Sequence, residues 1–389
     1  MKKRLSEFIR IKHGYAFKSA NFSRSGEYIL LTPGNFKETG GFRTTKPKFY
    51  VGPIPQEYVL KKGDFIIAMT EQAPGLLGAP AIIPEGRHYL HNQRLGLVDF
   101  VNKELSREYL FHLLNESTTR KAISTTAGGT KVRHTSPSKI EAVEVYIPTI
   151  AQQVKIALLL NTWDSVIEKS ERLIERYSQK YAALAAMLYP YSNTSAIGSL
   201  SDFCTEIGTR NRGKSTCVLS VTNHSGFVLP EEQFAKRVAS EDLSNYKVIR
   251  KGQYAYNPSR INVGSIARLD SWDMGVLSPM YTVFSLDEER VDSDYFLHWL
   301  ESPRAKSSIA KSAQGSVRRT VAYSAFSELE IPLPKIAEQR RIARALNAAQ
   351  SETRILQALV DRYRREKTFL MSKLLSGEWE APNLGAEAN

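Results

Sequence analysis

The string Gly208-Thr209-Arg210-Asn211-Arg212-Gly213-Lys214-Ser215 carries the full residue pattern of a phosphate-binding loop. Such a loop works between a buried strand and a helix whose first backbone amides face the phosphates. The residues that follow, Thr216-Cys217-Val218-Leu219-Ser220-Val221, alternate and are rich in β-branched side chains, and so predict a strand. No ATP binding is expected here, and Arg210, Arg212 and Lys214 read as a basic loop. The 7 histidines are scattered, with no His-Glu-x-x-His and no metal-spaced carboxylates. His112 and His298 fall at matching helix positions and read as packing residues. No nucleophile and base stand at a productive spacing. Catalytic residues, a bound cofactor and a metal are all expected to be absent: the chain should bind rather than react.

Tyr256-Asn257-Pro258-Ser259 resembles in part the Asn-Pro-Pro-aromatic motif of amino-methyltransferases, but the second Pro and the aromatic are missing. No Gly-rich loop for S-adenosylmethionine follows a strand, so methyl transfer is not expected either. The 389 residues carry 53 Lys and Arg against 40 Asp and Glu, a net charge of +13 that favours a polyanionic partner. Residues 1–149 hold 22 basic and 13 acidic residues, whereas 189–335 hold 17 and 16, with bases clustered at 210–214, 236–237 and 318–319. The mean hydropathy of −0.32, with no long apolar run, excludes a membrane-spanning helix. The basic start leads into no apolar stretch, so no secretory signal is expected. With only Cys204 and Cys217, no disulfide framework is expected, and a reducing cytoplasm is the expected setting.

The chain repeats itself. At a constant offset of 186, Tyr109–Leu114 lies over Tyr295–Leu300, Ile150-Ala151-Gln152-Gln153 over Ile336-Ala337-Glu338-Gln339, and Leu173–Tyr177 over Leu359–Tyr363. With small indels Leu5–Phe8 matches Leu200–Phe203, and Lys62–Phe65 matches Lys251–Tyr254.

Each copy has two parts. The first mixes short β-rich runs (Tyr28–Leu31, Phe65–Ala68, Cys217–Val221, Tyr281–Phe284) with one late helix, which predicts an α+β globule. The second is a long helix. Ile156, Leu160, Trp163, Ile167, Ser170, Ile174, Tyr177, Tyr181, Leu184 and Leu188 step by alternating 4 and 3, the heptad seam of a coiled coil. Its copy runs Ile342, Leu346, Ala349, Thr353, Leu356, Val360, Tyr363, Lys367, Leu370 and Leu374. Thr149 with Gln152 predicts a capping box, and Pro190 and Gly377 predict the stops. At about 34 residues each helix would reach about 50 Å. If the halves relate by a pseudo-two-fold axis, the seams pair antiparallel and separate two heads like a ruler.

The helix opened by Ile331-Pro332-Leu333-Pro334-Lys335-Ile336-Ala337-Glu338-Gln339-Arg340-Arg341-Ile342 and closed by Lys373-Leu374-Leu375-Ser376-Gly377 resembles the repeated region of type I restriction–modification specificity (S) subunits. So do Ala313-Gln314-Gly315-Ser316, Ala127-Gly128-Gly129-Thr130, Lys251–Arg260 and Leu277–Tyr281. The first helix departs from it, with Ala151-Gln152-Gln153-Val154 where the family favours Glu-Gln-Arg. The resemblance implies target-recognition domains at 1–149 and 191–335, helices at 150–190 and 336–378, and a tail at 379–389. It implies a non-catalytic subunit that binds double-stranded DNA, each domain reading half of a bipartite, gapped site. Two adenine-methyltransferase subunits would dock on the helices and restriction subunits would join, with S-adenosylmethionine, ATP and Mg on those partners. The alternatives are the specificity subunit of a related multisubunit type II system, or a structural or regulatory coiled-coil protein that binds no DNA.

Residue chemistry nominates the DNA contacts, since Arg pairs with guanine, Asn or Gln with adenine, and Lys with phosphate. In the first domain these are His13, Tyr15, Lys37, Arg43, Thr70, Gln72, Asn92, Gln93, Arg94, Lys131, Arg133 and His134. In the second they are Arg210, Arg212, Lys214, Asn223, His224, Asn257, Ser259, Arg260, Arg318 and Arg319. Arg340, Arg341 and Arg344, on the outer face of the second helix, are expected to be open to partners.

Overall fold

A computed structural model describes residues 2–43, 47–71, 75–129, 132–189, 196–213, 215–223, 225–230, 242–313 and 320–382. The chain divides into two compact units: Met1–Glu171 with Ala358–Asn389, and Arg172–Gln357.

In the first unit β1 (Lys2–Arg4) leads to β2 (Ile9–His13), then β3 (Phe22–Ser23), β4 (Tyr28–Leu30), β5 (Phe49–Tyr50), β6 (Val59–Leu60), β7 (Phe65–Ala68), β8 (Pro80–Ile82), β9 (His88–Leu90) and β10 (Leu95–Phe100). Helices α1 (Arg107–Asn115), α2 (Ser117–Thr125) and α3 (Pro137–Glu141) follow, then β11 (Glu144–Tyr146) and α4 (Ile150–Leu188). A four-stranded sheet has the order β2-β10-β7-β8, a five-stranded one β3-β5-β4-β9-β6, and β1 pairs with β11. The apolar run Phe65-Ile66-Ile67-Ala68 is buried on both faces, as a central strand must be.

The second unit opens with β12 (Ile197–Ser199), β13 (Cys204–Glu206), β14 (Ser220–Val221), β15 (Phe227–Val228), β16 (Lys247–Arg250), β17 (Tyr254–Tyr256), β18 (Ile266–Arg268), β19 (Met274–Leu277) and β20 (Thr282–Leu286). Then come α5 (Ser293–Glu301), α6 (Pro303–Ser312), α7 (Tyr323–Ser327), β21 (Glu330–Pro332) and α8 (Ile336–Leu375). Its four-stranded sheet is β13-β20-β17-β18, β12 pairs with β21, and β16 with β19. Position for position this repeats the first unit. The copies differ where β3, β4 and β5 of the first unit are replaced by the hairpin β14–β15.

The α+β globules and the two long helices are present as expected. Only one late helix per globule was anticipated; α2, α3, α6 and α7 are additional. Their length explains the omission, because five to ten residues give an amphipathic period little room. The Cys217–Val221 strand is shorter than expected: only Ser220 and Val221 pair in a ladder, while Val218 makes an isolated bridge to Val276.

The long helices run 39 and 40 residues, about 60 Å each at 1.5 Å per residue. Every seam position named above is buried or half-buried, and most residues between are exposed. In the first unit the Trp163 and Tyr363 rings meet at 5.6 Å, Lys367 Nζ lies 2.5 Å from Asp164, and Arg364 pairs with Glu171. Ile156 and Leu160, nearer the start of α4, share a core with Met371, Leu374 and Leu375 near the end of α8, whereas Glu171 reaches back to Arg364, so the pairing is antiparallel. The second unit repeats the sense: Tyr181 and Asn347 both reach His298, and Ala185 and Tyr189 share a core with Ile342, Ala343 and Leu346. Gln152 N–H donates to Thr149 Oγ1 at 3.4 Å, one half of the expected cap. Gly377 ends α8 at φ +77, and a Cβ there would sit 2.6 Å from the Tyr146 ring. Pro190 lies outside the described residues.

Candidate nucleic-acid interface

In the first unit His13 pairs with Gly96, and Leu95 with Ala68, so the end of β2, the start of β10 and the end of β7 share one end of the sheet. The loops there are laced together. Tyr15 N–H donates to His91 O at 2.8 Å, Gln93 N–H to Tyr15 O at 3.0 Å, and Met69 N–H to Arg94 O at 2.9 Å. Thr70 bridges to His134, and Glu71 N–H donates to Arg133 O at 2.8 Å. Gly14 passes so close to the turn that a Cβ would stand 2.2 Å from Asn92 O, which forces glycine.

This gathers His13, Tyr15, Thr70, Asn92, Gln93, Arg94, Arg133 and His134 at one place. Two of them are bound internally. Asn92 Oδ1 accepts Arg94 N–H at 3.0 Å, and the Arg133 guanidinium donates to Ser124 O and lies 3.5 Å from Glu71. His13, Tyr15, Gln93, Arg94 and His134 are exposed. Lys37 and Arg43 are exposed on a different segment, the β4–β5 connection, held by Lys37 N–H to Gly41 O at 2.9 Å and Arg43 N–H to Asn35 O at 2.6 Å. Gln72 and Lys131 lie outside the described residues.

Sequence reasoning passed over His91, which braces the turn from beneath. Burial pushes it down to about 4, so at neutral pH it is uncharged. Its Nε2–H then donates to Leu95 O at 2.9 Å, the carbonyl that also receives Gly14 N–H.

The second unit has the same end of the same sheet. Tyr256 pairs with Thr282, and Ile207 N–H donates to Val283 O at 2.8 Å. Beyond β17, Asn257 N–H donates to Ser265 O at 3.1 Å, Arg260 N–H to Asn257 O at 2.9 Å, and Ser259 N–H to Asn257 Oδ1 at 3.0 Å. Gly264, at φ +96, lies against Asn223. Asn223, Asn257, Ser259 and Arg260 therefore come together, while Arg210 and Arg212 sit on the neighbouring 243–247 segment through Arg210 Nη1 to Asn245 O at 2.7 Å and Arg212 N–H to Ser244 O at 3.0 Å. Lys214, His224, Arg318 and Arg319 lie outside the described residues.

The Gly208–Ser215 string is no phosphate cradle. Asn211, fully buried, donates Nδ2–H to Ser215 O at 2.8 Å and to Leu243 O at 3.1 Å, and its Oδ1 takes Ser215 N–H at 2.8 Å. The chain then enters β14 rather than a helix, so the loop does not open a helix of its own. Among the described residues no three His, Cys, Asp or Glu are placed to hold a metal ion, and no helix is long and apolar enough to cross a membrane.

Residues 1–176 match the family described as the type I restriction modification DNA specificity domain. This stretch is similar to a type I specificity domain. Over 96% of its length, and 85% of the relative, it is 23% identical to the type I restriction enzyme EcoBI specificity subunit of Escherichia coli. It is 20% identical to the MjaVIII specificity subunit of Methanocaldococcus jannaschii, over 73% of this chain and 72% of that one. Its fold is similar to the S subunit of a type I restriction–modification system from M. genitalium, with a TM-score of 0.61, 13% identity and 96% of each chain covered. A second structure, described as the basis of complex assembly and conformational transition of a type I system, aligns at TM-score 0.58 and 16% identity over 97% of this chain and 98% of that one.

The first globule is fastened to its long helix by buried polar clamps that recur in the second unit. Gln153 Oε1 accepts Ser106 N–H at 2.8 Å, and its Nε2 donates to Glu104 O at 2.8 Å and Pro148 O at 2.9 Å. Gln339 makes the equivalent bonds to Asp292 N–H at 2.9 Å, Arg290 O at 3.0 Å and Pro334 O at 2.8 Å. The motif glutamine is thus an internal strut. His112 Nε2 and His298 Nε2 each lie 2.8 Å from an asparagine Oδ1, of Asn161 and Asn347. Burial, which outweighs the opposing Asn161 bond, sets His112 below the usual histidine range. Both histidines pack, as expected. Their asparagine partners, Asn161 and Asn347, were missed, although they too recur at the 186 offset.

Proposed function

We propose that this chain is the DNA-recognition subunit of a type I restriction–modification complex, each domain reading one half of a bipartite, gapped duplex site. The observation that supports this reading most is the matched sheet end: in each unit a laced set of loops presents Arg, Asn, Gln, Ser or His side chains outward from one rigid edge. In the first domain Gln93, Arg94, His13 and His134 are the proposed readers, with Lys37, Arg43 and Lys131 on phosphates. In the second, Asn223, Ser259 and Arg260 read, while Asn257, buried and bonded to Ser259 N–H as Asn92 is to Arg94 N–H, holds their loop; Arg210, Arg212, Lys214, Arg318 and Arg319 lie on the DNA backbone. Reading requires no chemistry from this chain. Methyl transfer with S-adenosylmethionine and ATP-driven cleavage with Mg belong to methylase and restriction partners, the methylases docking on the outer faces of α4 and α8. Exchanging residues 198–335 for the matching segment of another such subunit should change one half of the modified sequence and leave the other. A change in both halves, or in neither, refutes independent reading.

A further inference from the structure

The turn that leads into the central strand of each four-stranded sheet is built twice from different residues. At the 186 offset Asn92-Gln93-Arg94-Leu95 falls on Ser278-Pro279-Met280-Tyr281. The same backbone bond closes both turns, Leu95 N–H to Asn92 O at 2.9 Å and Tyr281 N–H to Ser278 O at 3.0 Å. Met280 is therefore the counterpart of Arg94. Among the described residues it joins no hydrophobic core cluster, and it is 56% exposed. It also lies at the same sheet end as the proposed readers of its own domain, because Tyr256 pairs with Thr282, so the turn before β20 and the loop after β17 leave adjacent strands side by side. Val221 N–H donates to Tyr281 Oη at 3.4 Å, Ser265 Oγ–H to Val221 O at 2.9 Å, and Asn257 N–H to Ser265 O at 3.1 Å, which chains this turn to the Asn257 loop.

We propose that Met280 is a base-reading residue of the second domain and that it contacts the C5-methyl group of a thymine in the major groove. The proposal rests on the DNA-reading function proposed above. Major-groove edges offer hydrogen-bond donors, acceptors and one apolar feature, the thymine methyl. A methionine has no donor and a weak acceptor, and its flexible thioether chain adapts to small apolar surfaces. Arg94, at the same point of the first domain, suits the two acceptors of guanine. The repeats thus hold opposite chemistries at equivalent points, one polar and one apolar.

The test uses the full chain assembled with its methylase subunits, on the duplex whose modified adenines define the site. Within the half-site that follows residues 198–335 in the exchange above, each thymine is replaced in turn by uracil, which removes only the methyl. Affinities are read by fluorescence anisotropy at fixed salt. One replacement should weaken binding about fourfold, roughly the worth of one buried methyl. Met280→Ala should show the same loss on thymine DNA and no further loss on that uracil duplex. Met280→Arg should move the preference at that base pair toward guanine. Unchanged melting, and unchanged discrimination at the other half-site, show that both variants are folded. The inference is overturned if no uracil replacement weakens the unmodified protein, or if the uracil effect survives intact in Met280→Ala. Both results leave the preference for target over scrambled DNA in place. Absence of that preference in the unmodified complex refutes DNA reading itself.

Discussion

In the first repeat the exposed stripe along the start of the long helix is Ile150, Val154 and Leu158; in the second the same positions are Ile336, Arg340 and Arg344. The first three are 47%, 54% and 55% exposed, and Arg340 and Arg344 are exposed as well, Arg340 reaching Asp292 at 3.8 Å. Meanwhile the inward-facing residues of those turns, Gln153 and Gln339, make the same three bonds. The comparison teaches where divergence is tolerated. A buried amide with three partners has no alternative of the same shape, so both copies keep it. An outward position answers only to solvent or a partner, and there the copies have parted from apolar to cationic.

The largest effect should come from the shared strut. Gln153→Ala or Gln339→Ala leaves one backbone donor and two carbonyls without their partner and should cost about 3 kcal/mol in either unit, read by denaturant melting. A loss confined to one of the two variants would break the equivalence of the repeats.

Next in size is an acid sensitivity that only one repeat possesses. Position 91 is His in the first copy and its counterpart, 277, is Leu in the second. Burial holds His91 down to about 4 in the folded chain against 6.5 unfolded, so between those values the unfolded state binds the extra proton. The stability it supports is complete above about 6.5 and is lost as the pH falls toward 4, by about 2 kcal/mol at pH 5. Melting of the first unit should show this loss, and His91→Gln should flatten it. An equal acid loss in the second unit, or one that persists in His91→Gln, would contradict the assignment.

The smallest expected effect sharpens the contrast between the stripes. On the docking proposed above, Arg340→Ala with Arg344→Ala should weaken methylase binding roughly twofold to fivefold at low salt and hardly at all at high salt. Val154→Ala with Leu158→Ala should weaken it to a similar extent at either salt, because apolar contacts are not screened. Titrations at two ionic strengths, followed by calorimetry, decide between these outcomes.

Much of this was legible without coordinates. The 186 offset, the α+β globules and the heptad seam are local or periodic properties, written in residues three or four apart and in two copies. The strand after Ser215 alone argued against a phosphate loop, and Asn211 supplied the physical reason only once its partners 4 and 32 residues away were placed. The candidate contacts were chosen by residue type, so the choice could not separate a free side chain from one already engaged. Asn92 and Arg133 have the right chemistry but are tied internally, whereas Met280 has the wrong one and stands at the tip.

By itself the sequence determined the duplication, the element types and the direction of the seams, because backbone propensity, hydrophobic period and repetition act over short separations or by copying. Tertiary structure alone decided which loops share an edge. His13, Thr70, Arg94 and His134 lie up to 121 residues apart and meet only because β2, β10 and β7 stop at one end of a sheet. Likewise His91 is lowered, and Gln153 made a strut, by burial and by partners that no local pattern records. Desolvation and hydrogen-bond geometry depend on what surrounds an atom in space, and the order of residues along the chain fixes that only through the completed fold.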